Sequence, residues 1–249
     1  AIQTRKQRTS SGMPDMSKKT GNIISDGYWL RQHAVRDGLP ADCKRPYQIL
    51  FNQGVGYFKS IIDSVIENAG GSIDLPMQPR YLERYLSGFT FEYRTFCNLF
   101  EFTKQTEGFW RIDPENPRHV IIFYNRCASH KRQRYTQVHE LLHFTQTVDD
   151  KFLTFLDELI LNTTLPESVV VKLLERLTER ATAMYLMPND FFIKKYQEIK
   201  VQSGSFGEVQ LQQLAKAFDV SVQTATYRIQ ECFGTGILVP SYASNSMPP

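Results

Sequence analysis

The sequence predicts a mostly helical α+β protein with a small antiparallel sheet. Apolar residues recur at helical spacing through most of the chain, whereas residues 89–93 and 119–124 have the alternating or β-branched pattern of strands. A Gly/Ser segment at 203–207 separates the larger part of the chain from a short C-terminal region. The 249 residues suffice for one large domain and a small module after it.

The N-terminal part is expected to begin with a basic, flexible arm over residues 1–46. It lacks apolar periodicity, and the first fifty residues hold nine Lys or Arg against four Asp or Glu. A helix follows, because apolar residues recur three and four apart over 49–66 and the pattern stops at Gly70-Gly71. A short helix over 74–86 then leads into the first strand.

The remainder of the chain predicts helices joined by short loops. In order they cover residues 133–148, 153–161 (a helix or a loop), 166–187, 191–201 and 209–233, the last being two short helices around a turn at 219–221. The expected divisions are a main domain over 47–202, a helix-turn-helix-like module over 203–236 and a tail over 237–249.

The motif His139-Glu140-Leu141-Leu142-His143 lies within the helix predicted over 133–148. Residues four apart share a helix face, so both histidines can direct a ring nitrogen at one metal ion. Glu140 lies beside them, where it can take a proton from a water molecule at the metal. This H-E-x-x-H pattern is typical of zinc peptidases.

A catalytic zinc site needs a third protein ligand, and acids further along the chain are the candidates. They are Asp149, Asp150, Asp157, Glu158, Glu167, Glu175 and Glu179. Asp149 and Asp150 follow the motif too closely to fold back easily. Glu175 and Glu179 lie one turn apart on a predicted helix and share a face, so periodicity does not choose between them.

Several stretches around the motif occur in an order that is typical of one protein family. They are Arg134-Tyr135-Thr136-Gln137-Val138-His139-Glu140-Leu141-Leu142-His143, the strand Ile121-Ile122-Phe123-Tyr124-Asn125 before it, Leu186-Met187-Pro188 after it, and Leu214-Ala215, Val220-Ser221 and Tyr227-Arg228 in the C-terminal module. This ordered set resembles the ImmA/IrrE metallopeptidases over roughly residues 47–235. Leu142 departs from the glycine that is usual in the family before the second histidine.

The resemblance implies a zincin-like core and a specific third ligand. In the family the glutamate ligand lies thirteen residues before the Pro of Leu-Met-Pro, which is Glu175 here. Glu179 then supports the ligands, substitutes for one of them, or is an exposed helix charge. The implied metal is zinc, with another divalent ion such as Mn²⁺ as the alternative.

The resemblance also implies a function. The family's proteases cut a partner helix-turn-helix repressor and so relieve transcriptional repression. Glu140 would be the general base, and His130 or Tyr135, both near the motif in sequence, could stabilise the transition state. The simpler interpretation of these two is a loop histidine and a packing aromatic residue.

Two other functions compete with proteolysis. A DNA-binding regulator would use the C-terminal module, with Gln223, Thr224, Tyr227 and Arg228 on the recognition helix. Residues 201–235 carry a net charge of −1, however, which disfavours phosphate contacts. A metal-binding sensor without protease activity would not require the acid at Glu140.

Composition bears on the location of the protein. No run of eighteen apolar residues occurs, and the basic N-terminus has no apolar signal region, so neither a membrane span nor secretion is expected. Cys43, Cys97, Cys127 and Cys232 lie far apart in sequence and are interpreted as small core residues. These features favour the cytoplasm, where thiols stay reduced.

Overall fold

A computed structural model describes residues 44–71, 73–97, 107–162 and 165–233. The predicted tail, and the predicted arm up to residue 43, lie outside these residues. Within them, eight helices and three strands follow one another as α1 (Lys44–Asn68), α2 (Pro79–Tyr85), β1 (Thr90–Phe96), β2 (Gly108–Asp113), β3 (Asn116–Asn125), α3 (His130–Val148), α4 (Asp150–Asn162), α5 (Glu167–Leu186), α6 (Asn189–Ser203), α7 (Glu208–Ala217) and α8 (Val222–Phe233). The mostly helical α+β class is confirmed.

The sheet is mixed rather than antiparallel, and this corrects the expectation from the sequence. Its strand order is β1-β3-β2, with β3 antiparallel to β2 and parallel to β1. The chain goes from β1 to the far edge of the sheet, forms β2, and returns through a two-residue turn as β3 in the centre. Strand β2 was not predicted, although an apolar run before Asp113-Pro114 signals a strand and turn.

Most helices agree with the sequence pattern, and the differences lie at their ends. The helix predicted over 74–86 begins only at Pro79, because proline disfavours helix in the preceding residue and is well suited to the first helical position. Helix α3 begins at His130, three residues before the predicted start, since Ser129 caps it there. The segment expected as helix or loop is the helix α4.

The core of the main domain forms where helix α3 packs against the sheet on one side and α5 on the other. The ring of Phe144 on α3 makes edge contacts with Phe89, Phe91 and Trp110 from the sheet side. Helix α1 approaches α5 closely at Gly54, where a methyl group would lie 2.5 Å from a terminal carbon of the buried Leu177. This packing holds α3 and α5 in a defined relative rotation.

The two C-terminal helices pack onto the main domain through buried arginines. Arg134 of α3 donates from Nη2 to the carbonyls of Phe218 and Asp219, both at 2.6 Å, in the turn between α7 and α8. Arg228 of α8 donates from Nε to the Met187 carbonyl at the end of α5, at 3.1 Å. These bonds satisfy carbonyls at the ends of α7 and α5, and they tie the module to the two helices that build the site.

In the described part of the chain, no helix combines the length and the apolar character that crossing a bilayer requires.

Candidate metal centre

The site forms between α3 and α5, which contribute its side chains from facing surfaces. His139 and Glu140 are buried because both the sheet and α5 cover this part of α3. His143 and Glu175 are partly buried and lie at the open side. The ligand atoms of His139, His143 and Glu175 all lie within 4.8 Å of one another.

The three polar side chains converge on one point. His139 Nε2 and His143 Nε2 are 3.0 Å apart. The Glu175 carboxylate places Oε1 3.2 Å from the first nitrogen and Oε2 3.0 Å from the second. Ligands on a tetrahedral zinc, with bonds of about 2.0–2.1 Å, lie about 3.3 Å apart, so the triangle has the dimensions of a zinc site.

The opposite nitrogen of each ring is held by hydroxyl and amide groups on the buried side. His143 Nδ1 lies 3.2 Å from Gln146 Oε1 and 3.3 Å from Thr178 Oγ1. His139 Nδ1 lies 3.5 Å from Thr182 Oγ1. Both threonine hydroxyls donate to backbone carbonyls one turn earlier, so their oxygens can only accept from the rings. These contacts favour the neutral tautomer with the proton on Nδ1, in which each Nε2 presents a lone pair to the centre.

A positive charge at its centre would stabilise this arrangement. Two imidazole lone pairs and a carboxylate lie about 3 Å from one another, and such groups repel unless a cation lies between them. Burial acts to raise the pKa of Glu175, but the charge and hydrogen bonds of His139 and His143 in their protonated form prevail and hold that pKa well below its usual value. A divalent metal fits this set of donors.

Glu140 lies on the side of α3 that faces the sheet. It is 1% exposed. A methyl group at Gly108, the first residue of β2, would lie 3.2 Å from Glu140 Oε1. Strand β2 forms one edge of the three-stranded sheet. The carboxylate thus adjoins the first residue of β2, on a residue that directly follows the ligand His139 in sequence.

The family to which the chain belongs is shown by comparison with known sequences. The model of the peptidase family described as the IrrE N-terminal-like domain matches residues 98–230, more than half of the chain. The chain belongs to this family. The resemblance to the ImmA/IrrE metallopeptidases is thereby confirmed.

Relatives of the IrrE-like chain were also found among curated proteins and solved structures. The radiation response metalloprotease IrrE of Deinococcus radiodurans is 30% identical over 122 residues, which are 49% of this chain and 34% of that protein. The chain thus spans about a third of the length of this curated relative. A Mycobacterium tuberculosis transcriptional regulator of known structure is 10% identical, with a TM-score of 0.49 over 77% of this chain and 52% of that one.

The structure separates the two glutamates that periodicity left open. Glu175 contacts both histidines, whereas the Glu179 side chain is 41% exposed and pairs with Arg176 at 2.8 Å. One helical turn carries Glu179 away from the ligand atoms and towards the surface. The charge of Glu179 also raises the pKa of the Tyr135 phenol, so this partly exposed carboxylate lies near the site without joining the three ligand atoms.

The two residues considered for transition-state stabilisation lie in different places. The Tyr135 ring stacks on His139, with centroids 6.0 Å apart and planes 20° from parallel. Burial raises the pKa of its phenol, which keeps the hydroxyl protonated as a donor. His130 begins α3 and is 83% exposed, with Nδ1 3.6 Å from Asp219. The structure brings Tyr135 to the metal centre and leaves His130 at the far end of the helix.

The residues that orient the histidines were missed by sequence reasoning. Thr178 and Thr182 follow Glu175 at offsets of three and seven, and Gln146 follows His143 at an offset of three. All three are buried. Polar residues in phase with the ligands on otherwise apolar helix faces were the available signal.

The would-be recognition helix of a DNA-binding regulator is only partly accessible. Arg228 is 1% exposed and directed into the protein, while Tyr227 is exposed. The one basic residue on that face is therefore unavailable to phosphate groups.

The interpretation of the cysteines as core residues is wrong for two of them, since Cys97 and Cys127 are exposed. Neither belongs to the metal site. Cys232 is half-buried, and Cys43 lies outside the described residues.

Proposed function

We propose that this chain is a zinc-dependent endopeptidase that cleaves a partner protein, a helix-turn-helix transcriptional repressor, and so relieves repression. The observation that carries the proposal is the convergence of His139, His143 and Glu175 from two helices, with a buried Glu140 directly after His139 in the chain. Membership of a peptidase family and the likeness to a metalloprotease support it.

Zinc suits the donor set better than other divalent ions do. Two imidazole nitrogens and one carboxylate are typical of catalytic zinc, whereas sites rich in carboxylates and carbonyls favour magnesium, calcium or manganese. A zinc ion held by these residues supplies a Lewis acid that acidifies water and polarises a carbonyl group. Mn²⁺ is the alternative occupant.

Glu140 is the proton carrier in this proposal. It takes the proton of the attacking water and delivers it to the leaving amine, which requires an ionised carboxylate close to the reacting atoms. Its burial excludes bulk water from that transfer. Tyr135, stacked on His139 and kept protonated, is the candidate donor to the developing oxyanion.

A polypeptide substrate is supported by the neighbouring sheet edge. An extended peptide can join the edge of a sheet through main-chain hydrogen bonds, independently of its side chains. Strand β2 is the outer strand of the sheet among the described residues, and its first residue adjoins Glu140.

The test uses Glu140→Gln, which keeps the size and hydrogen bonding of the side chain but removes the base. Each purified protein is loaded with zinc, analysed for metal by mass spectrometry, and incubated with a candidate helix-turn-helix repressor. The variant should hold about one zinc per chain and lose cleavage by about 10²–10⁴-fold. His143→Ala is the matched control and should lose both metal and cleavage.

The outcomes separate an enzyme from a metal sensor. Cleavage by Glu140→Gln at the wild-type rate would exclude Glu140 as the base. Zinc binding by the wild type with no cleavage of the repressor would favour the sensor or a different substrate. Full zinc occupancy in His143→Ala would refute the ligand assignment.

A further inference from the structure

Cys97 and Cys127 lie side by side although they are thirty residues apart in sequence. Their Sγ atoms are 2.7 Å apart, and both residues are exposed. The topology explains this: β1 and β3 are parallel neighbours whose last pair is Phe96 and Asn125. Cys97 directly follows β1, and Cys127 is the second residue after β3, so the parallel ladder carries both to the same end of the sheet.

The backbone around the two thiols is held by hydrogen bonds of its own. Arg126 N donates to the Phe96 carbonyl at 3.1 Å, which ties the two chain segments together beyond the ladder. Cys127 N donates to the Asn125 side chain at 2.9 Å. The thiols are therefore presented to one another by fixed backbone. A disulfide bond of about 2.0 Å requires only a small approach of the two sulfurs.

We propose that Cys97 and Cys127 form an oxidation site at which a hydroperoxide converts the two thiols into a reversible disulfide. The proposal does not depend on the proposed protease activity, because neither cysteine belongs to the metal centre. Disulfides in reducing compartments are usually transient and redox-sensing, and an exposed pair is open to both oxidant and reductant.

The chemistry balances with one peroxide for each disulfide. The Cys97 thiolate attacks a peroxide oxygen; an S–O bond forms, the O–O bond breaks, and the second oxygen leaves as water or alcohol after taking a proton. The Cys127 sulfur then attacks the sulfenic acid on Cys97; the S–S bond forms, the S–O bond breaks, and a second water leaves. The two sulfurs lose two electrons, and the peroxide is reduced.

Cys97 is assigned as the attacking residue by its surroundings. The Cys127 thiol and the Arg126 guanidinium hydrogen-bond to it and lower its pKa, which favours the reactive thiolate. The pKa of Cys127 is raised, chiefly by its hydrogen bond with Cys97. Cys232 is half-buried with its pKa raised by burial, so it is expected to react slowly.

The experiment treats the zinc-loaded 249-residue protein with a stoichiometric amount of hydrogen peroxide. Cys43→Ser is introduced throughout, so that three cysteines remain. Free thiols are counted with a chromogenic disulfide reagent, and the linked residues are identified by mass spectrometry of peptides. The count should fall from three to one, with Cys97 joined to Cys127, and dithiothreitol should restore it to three.

Single substitutions in this background separate the proposed roles. Cys127→Ser should stop at a sulfenic acid on Cys97, which dimedone traps. Cys97→Ser should slow the loss of thiols at least about tenfold. Cys232→Ser is the matched control and should form the disulfide at the unchanged rate. The zinc content should stay constant in all four proteins.

Three results would overturn the proposal. The first is a protein that keeps three thiols under peroxide while a small free thiol in the same tube is consumed. The second is accumulation of sulfinic acid on Cys97 without a linked peptide. The third is a disulfide that involves Cys232.

Discussion

Gly108 leaves the space that allows helix α3 to pack under strand β2. A methyl group at this position would lie 2.3 Å from Thr136 Cγ2 and 2.8 Å from the Phe123 carbonyl oxygen. Carbon atoms in contact are normally about 3.5–4.0 Å apart. The Phe123 carbonyl belongs to β3, which is paired with β2, and Thr136 is buried on α3. The Phe123 carbonyl cannot yield without moving the backbone of β3, and Thr136 can yield only by rotating a buried, β-branched side chain.

The expected cost of Gly108→Ala follows from these overlaps. Overfilling a packed core costs about 1–3 kcal/mol, and the backbone contact places this variant at the upper end, about 3 kcal/mol. In a protein of this size each 1 kcal/mol lowers Tm by about 2–4 °C, so a fall of about 6–12 °C is expected. If β2 moves outward instead by about 1 Å, it leaves Glu140, and cleavage should fall on the order of 100-fold.

Thermal unfolding followed by circular dichroism, together with the proposed cleavage of a repressor, checks this prediction. Gly56→Ala in α1 is the matched control, because a methyl group there meets no atom within 4 Å. Alanine is favoured over glycine in helices by about 1 kcal/mol, so Tm should stay the same or rise. Thr136→Ser removes the overlapping methyl and should recover part of the loss in Gly108→Ala. A Gly108→Ala protein with wild-type Tm and activity would refute the described packing of β2 on α3.

Two further predictions concern metal affinity, measured by competition with a chromophoric zinc chelator. Glu175→Gln should weaken zinc binding more than about 100-fold, which exceeds the loss caused by groups that only position ligands. Glu179→Gln, at an exposed side chain, should change zinc affinity by no more than about threefold. If Glu179→Gln weakened binding more than Glu175→Gln did, α5 would be rotated from its described position. Thr178→Val keeps the side-chain shape but cannot bond the imidazole or amide beside it, so it should weaken zinc binding about 10–100-fold. Thr154→Val is the control, because it loses only a hydrogen bond to a backbone carbonyl on α4, and it should bind zinc as the wild type does. Equal zinc affinities in Thr178→Val and Thr154→Val would contradict the role of Thr178.

Features that depend on residues close in sequence were predicted well. The 3.6-residue period places His139 and His143 on one face of one helix, whatever the rest of the chain does. Helix ends followed from local signals such as the Gly70-Gly71 stop and the proline that precedes α5. The unpredicted strand β2 also had a local signal in the turn at Asp113-Pro114. The metal motif and most of the helices could therefore be predicted from short segments of the sequence.

Features that depend on residues far apart in sequence required the tertiary structure. Helical periodicity left Glu175 and Glu179 equivalent, and the packing of α5 against α3 turns the first towards the histidines and the second to solvent. The family offset favoured Glu175 by resemblance, without a physical reason of its own. The contacts of Thr178 and Thr182 with the imidazole rings come from the same rotation.

The surroundings of the cysteines and of the C-terminal module also depend on residues far apart in sequence. Cys97 and Cys127 are distant in sequence and adjacent only because β3 pairs in parallel with β1. Arg228 has the position of a DNA-contacting residue on its helix, yet it is buried against the end of α5. Sequence periodicity determines which residues share a face of one element. The packing of elements determines what that face meets, because contacts between distant segments depend on topology and on the rotation of each helix about its axis.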